Sequence, residues 1–416
     1  MQESLYLLKN NCFSLGTVPI NINFSFGKVC GETIYPLSYL PLFNNSAVDG
    51  FAMKIKNVRY INEVTKVFFK VLSFSDGNFS GDFSTIEIMT GARIPFNFDV
   101  VVKIEDVIIF NFGNFFYIVV SKKLVKNENI RFIGEDFYPK TILCKKGCFL
   151  TLPLITIFSS FGFKFINILC FPKIALFSTG DELKSCSDNF LLNLSYFSAF
   201  STKVHQIFNT IVTFILNFFK QFGIAVDYYG CVTDSVSCLI ECFCGILKRE
   251  VYNIILSTGA VSKGKHDFIL QSFLQVGGKV IFHGLKMKPG KPLLFGIFKK
   301  NCVFFGLPGN VLASIFCVRF FVFYFIIQCL MFKNYECFFS FFLSKEKNWP
   351  IGLLYFFKTH FFKFLGGYYV ISSFDQESFK LNSVFIVNSF SFFLNIDRDS
   401  FKNEVVRTYC LYPSLV

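Results

Sequence analysis

The sequence predicts a multidomain α/β chain in which a central, mainly parallel sheet is flanked by β-rich modules. Three observations carry that expectation. At 416 residues the chain is too long for one ordinary core. From about residue 171, short apolar runs alternate with helical stretches, the pattern of βαβ units. The first 170 residues and roughly the last 85 carry short alternating strands instead.

Taken in order, KVFFKVLSF (66–74), TIEIMTG (85–91) and VVKIEDVIIF (101–110) read as half-buried strands of the first β-rich part. The central region then reads PKIALFSTGDEL (172–183), a helical stretch at 207–222, GIAVDYYGCVTD (223–234), a helical stretch at 235–248, NIILSTGAVSKG (253–264), KVIFHGLKMKPG (279–290) and NCVFFGLPGN (301–310). Parallel sheets bind ligands beyond the carboxyl ends of their strands. The polar clusters STGDEL, VTD, STGAVSKGKHD, KPGKP and LPGN all fall at those ends, so five loops are expected to converge on one crevice. Residues 313–332, ASIFCVRFFVFYFIIQCLMF, are long and apolar enough to cross a bilayer. Arg319 near the middle opposes that, and a buried core helix in so Phe-rich a chain reads the same way. No membrane association is therefore expected. YYVISSF (368–374) and SVFIVNSF (383–390) are strands of the last β-rich part.

Composition says less than it first promises. Hydrophobic residues make up 53% and Phe numbers 63 against a single Trp, a skew that A- and T-rich codons produce by drift, so aromatic residues do not point to stacking sites. A net charge of +13 suits nucleic acid, an anionic membrane face or a phosphorylated small ligand. The Lys residues are scattered with no basic run carrying interleaved aromatics, and no nucleic-acid partner is expected. The fifteen Cys show no regular framework and the chain opens MQESLYLLKNN without a charged segment and apolar core, which fits a reducing cytoplasm. Cys231, Cys238, Cys242 and Cys244 come nearest to ligand spacing, yet no paired CxxC accompanies them, and His205, His266, His283 and His360 lie apart. Buried free thiols are the default reading.

The strand-end loops carry the chemistry. In STGDEL, Asp181 and Glu182 follow a flexible Ser178-Thr179-Gly180 turn and can bind a hard cation such as magnesium. Read alone, the same residues equally fit a helix N-cap with an acidic first turn. Ser257, Thr258, Gly259 and Gly264 form a small-residue loop whose amides can approach a phosphate, and Asp267 follows where a metal or ligand proton can be met. Lys288 and Lys291 flank a Pro289-Gly290 turn that lets both ammonium groups converge on an oxyanion, although a plain lysine-bearing hairpin reads the same. Pro308, Gly309 and Asn310 of LPGN form a rigid turn before a helix whose amino end favours an anion.

Seven blocks in order resemble the MoeA family of molybdopterin molybdenumtransferases, related to the C-terminal part of gephyrin. NNSAVDGFAM (44–53), MTGA (89–92) and IRFIGED (130–136) resemble the family's N-S-A-M-D-G-Y-A, M-T-G-A and R-x-x-G-E-D. STGDEL, STGAVSKGKHD, KMKPGKP and LPGN resemble S-T-G-D-E-L, S-G-G-V-S-x-G-x-x-D, K-P-G-K-P and L-P-G-N-P. The resemblance covers nearly the whole chain.

It implies a central three-layer, molybdopterin-binding α/β domain, flanking β-rich domains and a small β-barrel-like C-terminal domain. The implied boundaries are a discontinuous linker domain of 1–40 plus 136–170, a β-rich insertion at 41–135, the α/β domain at 171–332 and the C-terminal domain at 333–416. The implied activity inserts molybdate into adenylylated molybdopterin, with release of AMP, in a cytoplasmic homodimer supplied by a molybdopterin adenylyltransferase. Carried over by position, Glu182, Asp234 and Asp267 serve magnesium and the pyrophosphate, with Asp181 close by, while Lys288 and Lys291 hold the oxyanion. Ser178, Thr179, Gly180, Ser257, Thr258, Gly259, Ser262, Gly264, Gly290, Pro308, Gly309, Asn310 and Ser378 complete the implied substrate contacts. Asp49, Thr90 and Asp136 are expected to reach the crevice of the other subunit as catalytic residues.

The chain departs from the family pattern at FNTI (208–211), where the family's Y-D-T-N loses its Asp and Ile211 takes the Asn position. Ala260, Val311, Lys363 and Glu377 replace Gly, Pro, Arg and Gly, and about a dozen residues are inserted after STGDEL. A missing pterin or nucleotide contact is the expectation at FNTI. Two rival functions follow: a sister enzyme that adenylylates molybdopterin, which would lack the N-terminal blocks, and a catalytically eroded molybdopterin-binding or scaffold protein of the same fold.

Overall fold

The computed structural model describes residues 2–58, 67–72, 83–113, 115–184, 207–261, 268–299 and 301–331, together with the backbone of five strands between Phe338 and Cys410. The amino-terminal helix Gln2–Asn10 presses Leu8 into the core of the central region. Strand Thr17–Asn21 then pairs antiparallel with Phe165–Leu169, and bridges Val29 to Phe149, Ile34 to Cys144 and Leu40 to Phe137 bind the two chain segments along their length. Ile22, Cys30, Leu150 and Phe158 close the core between them. The intervening segment builds a six-stranded sheet in the order Val100–Lys103, Gly50–Met53, Ser84–Ile88, Val67–Leu72, Phe115–Val120, Val107–Phe112.

The central sheet runs Val226–Val232, Ile174–Thr179, Ile254–Thr258, Cys302–Leu307, Leu294–Lys299, Lys279–His283. Its first four strands are parallel, while the Leu294 strand runs antiparallel to both neighbours. That antiparallel strand was absent from the sequence reading. Side chains alternate across the sheet as a period of two requires. Ile174, Leu176, Ile254, Leu256, Val303 and Phe305 face the helices Thr210–Lys220 and Val311–Cys329. Ala175, Phe177, Ile255 and Phe304 face Val236–Lys248 and Phe268–Gln275. Both faces are buried, which is why these strands read as unbroken apolar runs. The result is three layers.

Phe fills this core by ring contact. Phe243 meets Phe177 and Phe304 with centroids 5.3 Å away in each case, and Phe273 stacks on Phe304 at 5.0 Å. Full burial of each ring is worth about 1.5–3 kcal/mol. The long apolar run is a core element too, since 83% of its most apolar stretch is buried inside the fold. It proceeds as α-helix Val311–Cys317, a π-helical segment Val318–Val322 and α-helix Phe323–Cys329, with the Arg319 guanidinium 4.9 Å from the centre of the Phe320 ring. The buried-helix reading of 313–332 therefore holds.

Beyond it, strands Leu354–Phe364, Ser389–Leu394, Val405–Cys410 and Phe338–Phe342 form a sheet in that order, with Gly367–Ser372 added to the first. Met287–Lys288 from the central region joins this sheet, parallel to Leu354–Tyr355.

Candidate active site

Register brings the polar loops to one level. Ser178 lies opposite Cys231 on one side and Thr258 on the other, and Thr258 lies opposite Leu307. The chain therefore leaves four adjacent parallel strands along a single row. The Lys279 strand points the same way, so the lysine turn that follows it opens on the same edge of the sheet.

The acidic turn comes first. After Thr179 the backbone turns at Gly180, with φ +131°, and enters the two-residue strand Leu183–Lys184, which pairs with Ile207–Phe208. No helix begins there, so the N-cap reading of Asp181 and Glu182 is corrected. The Glu182 carboxylate folds back over Gly180, where a Cβ would lie 2.7 Å from its Oε1. Asp234 follows the neighbouring Val226 strand. Glu182, Asp234 and Asp181 all act on the exposed Cys231 thiol. Burial pushes that thiol up, the Ser178 hydroxyl draws it down, and the three carboxylates push it up again. Three acidic side chains from two adjacent strand ends thus act on one thiol. Among the described residues no group of three His, Cys, Asp or Glu side chains is close enough to hold a metal by itself. Magnesium characteristically takes one or two carboxylates and completes its shell with water and ligand phosphates, so the hard oxygen donors of Glu182 and Asp234 fit that ion.

The small-residue loop lies against this turn. Gly259 has φ +91°, and a Cβ there would lie 2.7 Å from both the carbonyl and the hydroxyl oxygen of Thr179. Its amide donates to the Leu307 carbonyl at 3.2 Å, and Thr179 Oγ1 donates to the Thr258 carbonyl at 3.3 Å. Three strand ends are laced together. Ser257 Oγ and Thr258 Oγ1 are buried without a hydrogen-bond partner among the described residues. Such hydroxyls are costly unless something meets them. Ser262, Gly264 and Asp267 lie outside the described residues, as do Ser378, Glu377 and the insertion after STGDEL.

At the lysine turn the Leu285 amide donates to the Lys291 carbonyl at 2.7 Å and the Leu293 amide to the Gly290 carbonyl at 3.3 Å, leaving both Lys288 and Lys291 exposed. Gly290 is buried beneath them. In LPGN, Asn310 caps the next helix by accepting the Ala313 amide at 3.2 Å, and Ser314 bonds the Pro308 carbonyl. Gly309 sits 3.6 Å from the Gly259 Cα as measured from its ideal Cβ. Val311 in place of Pro is simply the first residue of that helix.

The three N-terminal blocks also meet. Asp49 Oδ1 accepts from the Thr90 amide at 2.6 Å and hydroxyl at 2.9 Å, which holds its carboxyl below the usual carboxylate range. Asn44 accepts from the Ile133 amide at 2.8 Å, and Asp136 pairs with Arg131. Asp49, Thr90 and Asp136 are thereby gathered in one part of the molecule and the strand-end loops in another.

At FNTI, Asn209 caps helix Thr210–Lys220, accepting the Val212 amide at 3.3 Å, so its side-chain oxygen is committed to the helix. Ile211 is buried among apolar neighbours. Sequence reasoning missed Tyr228, whose phenol meets Ser178 Oγ at 2.8 Å and Asn209 Nδ2 at 3.4 Å. Its one sequence signal is a position three residues before Cys231 on the strand that precedes VTD.

Comparison with known proteins agrees with this layout. Residues 1–162 match the MoeA N-terminal region (domain I and II), and residues 175–328 match a probable molybdopterin binding domain. A molybdopterin molybdenumtransferase of Haemophilus influenzae is 27% identical over 346 residues, covering 82% of this chain and 77% of that protein. One from Staphylococcus aureus is 26% identical over 318 residues, covering 74% and 71%. The fold follows the crystal structure of the molybdopterin biosynthesis moeA protein from Pyrococcus horikoshii with a TM-score of 0.74 at 22% identity, over 98% of each chain. Both regions are matched in order, and the curated relatives span most of the chain: the chain belongs to the MoeA family.

Proposed function

We propose that the chain is a molybdopterin molybdenumtransferase, inserting molybdate into adenylylated molybdopterin with release of AMP. The observation that carries the reading is the convergence of the acidic turn, the Ser257–Gly259 loop and the lysine turn at one edge of the sheet. Adenylylated molybdopterin is a pyrophosphate diester, and molybdate is a tetrahedral dianion. Amides beyond Gly259, whose own N–H is held by the Leu307 carbonyl, bind phosphate oxygens, and Lys288 and Lys291 orient molybdate beside them. Glu182 and Asp234, with Asp267, would hold magnesium, which would supply charge screening to the pyrophosphate. As the P–O bond to the pterin phosphate breaks, an oxygen of water, or of molybdate whose Mo–O bond then breaks as the dithiolene sulfurs take the molybdenum, bonds to the adenylate phosphorus; AMP leaves, and Asp181 receives any proton released. Buried Ser178 and Thr179 form a floor without solvent.

The same reading takes the subunit as four domains with the boundaries 1–40 plus 136–170, 41–135, 171–332 and 333–416, the last closing as a small β-barrel. It takes the working form as a cytoplasmic homodimer, with Asp49, Thr90 and Asp136 completing the partner's crevice and a molybdopterin adenylyltransferase as donor. Exposed Tyr35, Leu37, Tyr39, Leu42, Phe132 and Ile133 offer an apolar surface for such a contact. Turnover is tested with adenylylated molybdopterin, molybdate and magnesium, following AMP. Wild type should release AMP, and Glu182→Gln should bind the substrate yet release AMP slowly, partly rescued by excess magnesium. Substrate binding without AMP release by wild type would instead identify the eroded binding protein.

A further inference from the structure

A hydrogen-bonded path, buried at Asn209 and Ser178 and exposed at Cys231, leads from the amino end of helix Thr210–Lys220 to the acidic turn. The Asn209 side chain is 4% exposed, and its Oδ1 is committed to the Val212 amide. Its NH2 therefore faces Tyr228 and donates to the phenol oxygen at 3.4 Å. With that oxygen accepting, the phenol proton goes to Ser178 Oγ at 2.8 Å. Ser178 is fully buried; its hydroxyl donates to the Gly230 carbonyl at 3.5 Å, on the peptide that leads into Cys231, its cross-strand partner. Cys231 Sγ in turn donates to the Gly180 carbonyl at 3.2 Å. The chain ends on the peptide where the backbone turns and over which Glu182 folds.

A part-buried polar chain of this kind adds little net stability over an apolar replacement of the same shape, but it fixes direction. The side-chain bonds from Asn209 to Ser178 and the Cys231 bond to Gly180 meet through the Gly230–Cys231 peptide, so the Gly180 peptide is held at one angle. Asp181 and Glu182 follow from that angle. We propose that Asn209, Tyr228 and Cys231 are positioning residues that orient the acidic turn Asp181–Glu182 for a divalent cation while touching no ligand themselves. The inference rests on the reading that Glu182 serves a cation in a transferase.

The test uses the full chain without substrate. Free Mn2+ is followed by electron paramagnetic resonance while protein is titrated, and thermal unfolding is recorded beside it. Tyr228→Phe and Cys231→Ala should each raise the Mn2+ Kd about five- to tenfold, the effect of one lost hydrogen bond. Cys231→Ser keeps a donor to the Gly180 carbonyl and should stay within about twofold of wild type. Tyr252→Phe is the control: its phenol bonds Asp227 at 2.6 Å and Tyr229 at 2.9 Å toward the other end of the same strand. It should lower the melting temperature and leave the Mn2+ Kd unchanged. Wild-type affinity in Tyr228→Phe and Cys231→Ala would overturn the proposal. So would a wild type that binds no Mn2+, or losses in all four variants that merely track melting temperature. Intact Mn2+ behaviour with no AMP release would overturn the transferase reading and leave the positioning chain standing.

Discussion

A methyl group added at Gly259 should wedge the crevice open. The residue has φ +91°, and a Cβ would stand 2.7 Å from the Thr179 carbonyl and hydroxyl oxygens, whereas ordinary contact begins at 3.4 Å. The difference, roughly 0.7 Å, must be absorbed by parting two strand-end loops, because the obstacle is partly backbone. Strain at such a φ costs about 1–3 kcal/mol and overpacking a similar amount, so Gly259→Ala should destabilise by about 2–4 kcal/mol once the two relax together. At about 2–4 °C per kcal/mol for a unit of this size, the melting temperature should fall by roughly 4–16 °C. Gly309→Ala is the internal comparison, since its Cβ comes no nearer than 3.6 Å to Gly259. That change should stay within about 0.5 kcal/mol. Differential scanning calorimetry of the two variants beside wild type decides the matter, and equal shifts for Gly259→Ala and Gly309→Ala would refute the wedge.

Lys288→Ala and Lys291→Ala should weaken use of molybdate about ten- to a hundredfold and pterin binding much less, since a charge-assisted contact is worth roughly 1.5–3 kcal/mol. Steady-state titration with molybdate and direct pterin binding would separate the two, and equal losses contradict the oxyanion role. The Asp49–Thr90 contact should be acid-labile. Because its folded value lies below the ordinary 3.8, its contribution is complete above 3.8 and disappears as pH falls through the folded value. Hydrogen exchange should show Thr90 amide protection falling in that window, and protection that persists to full protonation would exclude the carboxylate as its acceptor. Finally, the chain should stay out of the membrane pellet after alkali extraction, because the long apolar helix is already covered by protein. Pelleting resistant to salt and alkali would show the helix to be inserted.

The βαβ core was legible because strands buried on both faces leave continuous apolar runs ending in polar turns, as at NIILSTG and NCVFFGLPGN. The convergence of their loops followed from parallel pairing alone. The Leu294 strand was not legible: LFGIFK follows directly on the lysine turn and pairs back on Cys302–Leu307 across KKN (299–301), a connection with no Gly or Pro to announce a hairpin. Tyr228 and Cys231 stayed hidden for a related reason. GIAVDYYGCVTD announces a strand, but which residue faces Ser178 depends on a register shift between Leu176 and Ser178. Phe usage blurred the rest, since Phe243 is wholly buried while Phe96 is 87% exposed. At FNTI, spacing does not reveal that Asn209 is a helix cap.

The two residues Met287 and Lys288 leave the central sheet, pair with Leu354–Tyr355 and return. This small excursion stitches the lysine turn to a part of the chain that is translated later. A nascent polypeptide can complete the three-layer core while its lysine turn still lacks its strand partner, so maturation of the crevice must trail that of the core around it. The same stitch restricts recombination. An α/β unit cut away just after its long helix would carry every block of the crevice on paper, yet would present the Lys288 loop without the strand that frames it, and a graft of this unit needs a surrogate for that strand.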